Sequence, residues 1–91
     1  MFTLISYDVV HDRRRQRLAK LLAGHGQRVQ YSVFECELTS LQLTRLMREI
    51  GQIINPQCDS VRIYRLDEAA VGRIMIVGVG SVTQTPTHYR L

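Results

Sequence analysis

Arg28-Val29-Gln30-Tyr31-Ser32-Val33-Phe34-Glu35-Cys36-Glu37-Leu38 is the stretch on which the fold turns. β-Branched and aromatic residues fit a pleated, half-buried surface, and they are dense here. Read without interruption, the stretch is one long strand. Broken near Gln30-Tyr31-Ser32, it is two short ones. No Gly or Pro marks a break, so both readings stand on propensity alone. The choice sets the number of strands between two helices.

The flanks are clearer. Upstream, Phe2-Thr3-Leu4-Ile5-Ser6-Tyr7 is an apolar run closed by Asp8, the pattern of a central strand covered on both faces. A helix follows over about 13–23, with Asp12 as its expected N-cap. Leu18, Leu21 and Leu22 share one face, while Arg13, Arg17 and Lys20 lie on the other. Gly24 and Gly26 are the expected stop. Downstream, Thr39-Ser40-Leu41-Gln42 is a capping box. Leu43, Leu46, Met47, Ile50, Ile53 and Ile54 then mark a helix face, which Pro56 ends. Ser60 to Leu66 reads as a strand, and Ile74-Met75-Ile76-Val77 as a short apolar one between polar or glycine-containing segments. Strand, helix, one or two strands, helix, strand is the order of an α+β, ferredoxin-like βαββαβ sandwich. We expect residues 1–80 to form that domain and residues 81–91 a polar tail.

At 91 residues the chain is one domain with a modest core. Two helices cover one sheet face, so a second copy of the chain is the economical cover for the other. No apolar run approaches the ~20 residues that span a bilayer, and no signal-peptide pattern opens the chain. The expectation is a cytoplasmic protein with no membrane partner. Cys36 and Cys58 lack metal-ligand spacing, as do His25 and His88.

Charge is where the sequence departs from a stability-only design. The net charge is +4. Arg13, Arg14, Arg15, Arg17, Lys20 and Arg28 face a single acid, Asp12, within residues 11–30. The first turn of a helix is already partially positive, so cations there cost about 0.3–1 kcal/mol each. Three consecutive arginines in that turn point to a polyanion, and nucleic-acid phosphate is the natural one. Asp8 stands beside them as a carboxylate suited to a hard divalent cation.

These residues carry a family resemblance. Tyr7-Asp8-Val9 followed by Asp12-Arg13-Arg14 resembles the small CRISPR-associated protein of spacer-acquisition systems, the Cas-two family. Gly26-Gln27-Arg28-Val29-Gln30-Tyr31-Ser32-Val33-Phe34-Glu35 is similar to its second motif, and Asp59-Ser60-Val61-Arg62-Ile63-Tyr64 to its fourth strand. The resemblance spans roughly residues 1–78. It implies a hairpin within 28–38 and a homodimer in which the strand at 74–77 crosses to the partner's sheet. It also implies a metal-dependent endonuclease acting on single-stranded RNA or duplex DNA, with Asp8 as catalytic residue and ligand of Mg²⁺ or Mn²⁺. By position, Tyr7, Arg15, Arg17, Arg28 and Phe34 would contact nucleic acid. The resemblance further implies a DNA-bridging role beside a CRISPR integrase subunit.

Each residue also has a plainer reading. Asp8 can be a solvated strand-end acid, the arginines a solvated helix face, and Tyr7 and Phe34 core or interface packing rather than stacking surfaces. His11 is near Asp8 in sequence, but nothing marks it as a general base.

Overall fold

The computed structural model describes residues 1–83. Its elements are β1 (Phe2–Asp8), α1 (Asp12–Ala23), β2 (Gly26–Gln30), β3 (Val33–Glu37), α2 (Ser40–Ile53), β4 (Ser60–Leu66) and α3 (Glu68–Val71). The strands form one sheet in the order β2-β3-β1-β4, every neighbouring pair antiparallel. This is the ferredoxin-like α+β arrangement.

β1 is central because it is apolar on both faces. Its inward residues Ile5 and Tyr7 pack with Phe34 and Cys36 of β3, Leu18 and Leu22 of α1, and Leu46 and Ile50 of α2. All eight are buried, and Val61 and Ile63 of β4 close the cluster from the side. Burial pushes the Cys36 thiol up to about 11, with the neighbouring Glu35 charge adding to the effect. That keeps it protonated and unreactive.

The stretch at 28–38 is two strands. β2 and β3 pair as a hairpin whose register shifts between Arg28 and Gln30. Tyr31 and Ser32 make the turn just after this bulge, and among the described residues no non-glycine residue has positive φ. A glycine was therefore not required, which is why none signals the turn. Gly26 serves another need. A Cβ there would lie 2.4 Å from Cys36 Sγ and 2.4 Å from the Glu35 carbonyl oxygen, so the start of β2 can approach β3 only without a side chain.

Two expectations, on Asp12 and Gly24, change, and one further element is found. Asp12 is not the N-cap of α1: His11 is, without a side-chain capping bond, and the Asp12 carboxylate pairs forward with Arg15 instead. Gly24 closes α1 at φ −74, so it acts through backbone bonding to Leu21 rather than through left-handed freedom. A short helix, α3, follows β4, and the Asp67 carboxylate caps it by accepting from Ala70 N at 2.8 Å. Residues 74–77 form no strand within the single chain, although Met75 and Val77 are almost wholly exposed. By contrast, the capping box of α2 is as expected, with Gln42 N donating to Thr39 Oγ1 at 3.1 Å and Thr39 N to Gln42 Oε1 at 2.8 Å. Of the expected tail at 81–91, all but its first three residues lie outside the described residues.

Candidate nucleic-acid and metal site

Where β1 ends, the loop into α1 and the β2–β3 turn face each other across a cleft of about 380 Å³. Tyr7, Asp8, Val9, Arg15, Tyr31 and Ser32 line it. The cleft opens because the pairing of β1 with β3 stops at Ser6 and Val33, whereas its pairing with β4 runs on through Asp8 and Ser60. Tyr7 N donates to Ser32 O at 3.1 Å and ties the two walls at the base.

Asp8 is exposed, and among the described residues its carboxylate makes no hydrogen bond or ion pair. Arg15 is half-buried. Its Nη1 donates to Val9 O at 3.1 Å and its Nη2 to the Asp12 carboxylate. Asp12 above all, with Tyr31 contributing, raises the Arg15 pKa, so the guanidinium stays charged.

Arg28 folds back across the hairpin turn. Its Nε and Nη2 donate to Tyr31 O at 3.0 and 2.7 Å, and Nη2 reaches Tyr7 Oη at 3.4 Å. The guanidinium lies 5.4 Å from the Tyr31 ring centroid and 5.6 Å from that of Phe34, within cation–π range. Phe34 stacks in turn near Tyr7, with centroids 6.3 Å apart.

The six residues singled out from sequence therefore divide. Asp8, Tyr7 and Arg15 line the cleft, and Arg28 sits at its hairpin wall. Arg17 is exposed on α1 and does not line it. Phe34 is 1% and Tyr7 4% exposed, so neither ring offers a face to a base. Their plainer reading as core holds, and what they do for the site is to seat Arg28. The apolar demand of the sheet interior decides this, since both side chains point to the helix-covered face.

Two contributors escaped the sequence reading. Tyr31 is 72% exposed at the turn and lines the cleft. Asp59, just ahead of β4, has a side chain with no solvent exposure. It accepts from Arg14 Nε at 2.8 Å, Arg14 Nη2 at 3.3 Å, Val10 N at 3.1 Å and Asn55 N at 2.8 Å. Arg14 first, then the backbone donors, hold its carboxyl well below the usual range. Arg14 is thus committed to the fold, whereas its neighbour Arg15 serves the cleft. The bidentate partner lies 45 positions away in sequence, beyond the reach of any local pattern.

The metal question turns on donor chemistry. Among the described residues there is no group of three or more His, Cys, Asp or Glu side chains able to hold an ion. One carboxylate still fits Mg²⁺, which keeps several waters and takes one or two carboxylates together with substrate phosphates. An uncommitted, solvent-facing Asp8 in a cleft with the cationic Arg15 meets that requirement.

Comparison with known proteins finds one family along most of the chain. Residues 1–74 match the family model described as CRISPR associated protein Cas2. A Chloroflexus aurantiacus protein named CRISPR-associated endoribonuclease Cas2 3 is 51% identical over 89 residues, covering 98% of this chain and 96% of that one. The crystal structure of Streptococcus pyogenes Cas2 at pH 6.5 superposes with a TM-score of 0.77 at 36% identity, covering 86% of this chain and all of that one. A chain of a partial Cas6-RT-Cas1–Cas2 complex superposes with a TM-score of 0.72 at 33% identity, covering 84% and 89%.

Proposed function

The chain belongs to the CRISPR-associated Cas2 family, and from that premise we propose that it is a metal-dependent phosphodiesterase of spacer acquisition, acting on RNA or DNA as a homodimer in the cytoplasm. One observation carries the reading: an uncommitted carboxylate, Asp8, shares a cleft with a charged guanidinium, Arg15, at the end of the central strand.

The chemistry follows from the donors. Arg15 and Arg28 hold a phosphodiester by charge-assisted hydrogen bonds, and Arg17 adds to the field that draws the polyanion in. Asp8 would hold Mg²⁺ or Mn²⁺, which when bound supplies a water of lowered pKa and neutralises charge on the scissile phosphate. Asp8 fixes its position against the phosphate because Val9 and Arg15 hold the chain directly after it. A two-fold axis would bring a second Asp8 toward the same ligand. Support for the dimer comes from the sheet face that no helix covers, where Tyr64 is 47% exposed, and from Met75 and Val77 at 89% and 100%. In this reading residues 1–80 are the domain, and the segment at 74–77 pairs with the partner's sheet.

A second reading is favoured by the structural match to a Cas2 chain named within a complex with Cas1. There the dimer is a DNA-bridging scaffold for the integrase subunit, and Asp8 is dispensable. Asp8→Asn separates the two. It keeps shape and removes the charge a hard cation needs. We expect fold and dimer to persist and metal-dependent cleavage to fall by roughly two orders of magnitude or more. Cleavage unchanged in rigorously purified Asp8→Asn protein would end the catalytic reading and leave the scaffold.

A further inference from the structure

Tyr31 is the most exposed aromatic side chain among the described residues, at 72%, while Phe2, Tyr7 and Phe34 are buried. Its exposure alone would be ordinary, but this residue also forms part of the cleft that holds Asp8 and Arg15. The turn does not need the ring for its own closure. Arg28 closes it through the Tyr31 carbonyl oxygen, a backbone group any residue would supply. The ring is nevertheless held in place: the Arg28 guanidinium lies 5.4 Å from its centroid, and its phenol bears on Arg15. An exposed ring with a cation at its side and a cationic cleft in front is the arrangement of a base-stacking platform.

We propose that Tyr31 stacks on the nucleobase adjacent to the phosphate held at Asp8 and Arg15, so that the strand entering the cleft is single and unpaired. This rests on the nucleic-acid reading above and adds a contact residue for the single-stranded substrate that the family resemblance already implies. In a duplex the base faces are occupied by their neighbours, and only backbone and groove edges are presented. An unpaired strand offers its π-faces to protein rings. The site needs no base-specific hydrogen bond to work this way, so little sequence preference is expected at that nucleotide.

The chain contains no tryptophan, so Tyr31→Trp introduces a single fluorophore at the platform. The full-length variant is titrated, with divalent ions chelated, with a single-stranded oligoribonucleotide, the matching oligodeoxyribonucleotide and a blunt DNA duplex. Stacking predicts quenching by the single strands and none by the duplex; the more strongly quenching strand identifies RNA or DNA as the ligand. Tyr31→Ala should weaken single-strand binding about 5- to 150-fold at unchanged salt slope, and Tyr31→Phe should restore it. Equal quenching by duplex, single-strand affinity within twofold of the parent in Tyr31→Ala, or a Tyr31→Phe variant as weak as Tyr31→Ala would each overturn the proposal. So would dissociation of the sedimenting species in Tyr31→Ala, which would make the ring a contact between copies. The joint substitution of Arg15, Arg17 and Arg28 by Ala is the control for the underlying reading. If its salt slope flattens while Tyr31→Ala binds normally, the basic site stands and only the stacking assignment fails.

Discussion

The two walls of the cleft beside Asp8 are held in opposite ways. The wall running from Val9 to Arg15 is anchored by Asp59, a carboxylate with no solvent exposure that accepts from Val10, Asn55 and twice from Arg14. The hairpin wall is held by the exposed Arg28, which donates twice to the Tyr31 carbonyl. A shielded, saturated carboxylate loses most when any partner is removed, because the groups left behind cannot turn to water. A solvent-facing tie contributes little to stability, since water competes for each of its bonds. The acid is therefore placed by a rigid wall, and the hairpin wall opposite can adjust. An incoming phosphate can take Arg28 from a carbonyl, but it cannot easily take Arg14 from Asp59.

The sharpest way to break this comparison is Asp59→Ala. It removes the acceptor shared by Arg14 and two backbone donors, and the thermal midpoint should fall by about 4–8 °C. A midpoint within a degree or two of the parent would make the two walls equivalent.

Acid should produce a smaller effect through the same residue. The folded-state pKa of Asp59 is depressed, whereas an unfolded aspartate titrates near ~3.9. Its contribution is complete above that value and is lost as pH falls through it toward the folded pKa. Thermal midpoints measured between about pH 6 and pH 3 should therefore decline more steeply in the parent than in Asp59→Asn. Parallel profiles would mean that Asp59 gains nothing from its charge.

Arg28→Ala should move stability least. A midpoint shift of no more than about 3 °C is expected, together with a flattening of log affinity against log salt by about one unit. A large stability loss with an unchanged salt slope would reverse the roles of the two walls.

Much of the frame was legible because its signals are local. The apolar run of β1 and the Leu and Ile stripe of α2 report burial through periodicity, and Thr39 with Gln42 is a capping box that needs only four residues. The hairpin was ambiguous for a physical reason: the two-residue turn at Tyr31 and Ser32, next to a bulge at Arg28–Gln30, is made without positive φ, so no glycine announces it. The cap of α1 was misassigned because Asp12 has two possible partners. A backbone N–H at the helix start and Arg15 one turn on compete for it, and the guanidinium wins.

The candidate site was legible in kind and not in arrangement. An acid at the end of an apolar strand, followed by a cationic helix start, already pointed to phosphate and a hard cation. Which arginine serves the ligand was not readable. Arg14 and Arg15 are adjacent and chemically identical, yet one belongs to Asp59 and the other to the cleft.

The sequence by itself determined the element order, the ferredoxin-like class and the basic, carboxylate-bearing end of the molecule, because propensity, periodicity and local charge are properties of neighbouring residues. Only the tertiary structure decided that Phe34 is seated inside and Tyr31 left outside, three positions apart on either side of one turn. Only it decided that Asp59 anchors the wall that follows Asp8. Those outcomes depend on which surfaces the sheet and helices bury against each other and on donors brought together from distant segments. Side-chain burial and long-range hydrogen bonding exist only once the chain has closed on itself.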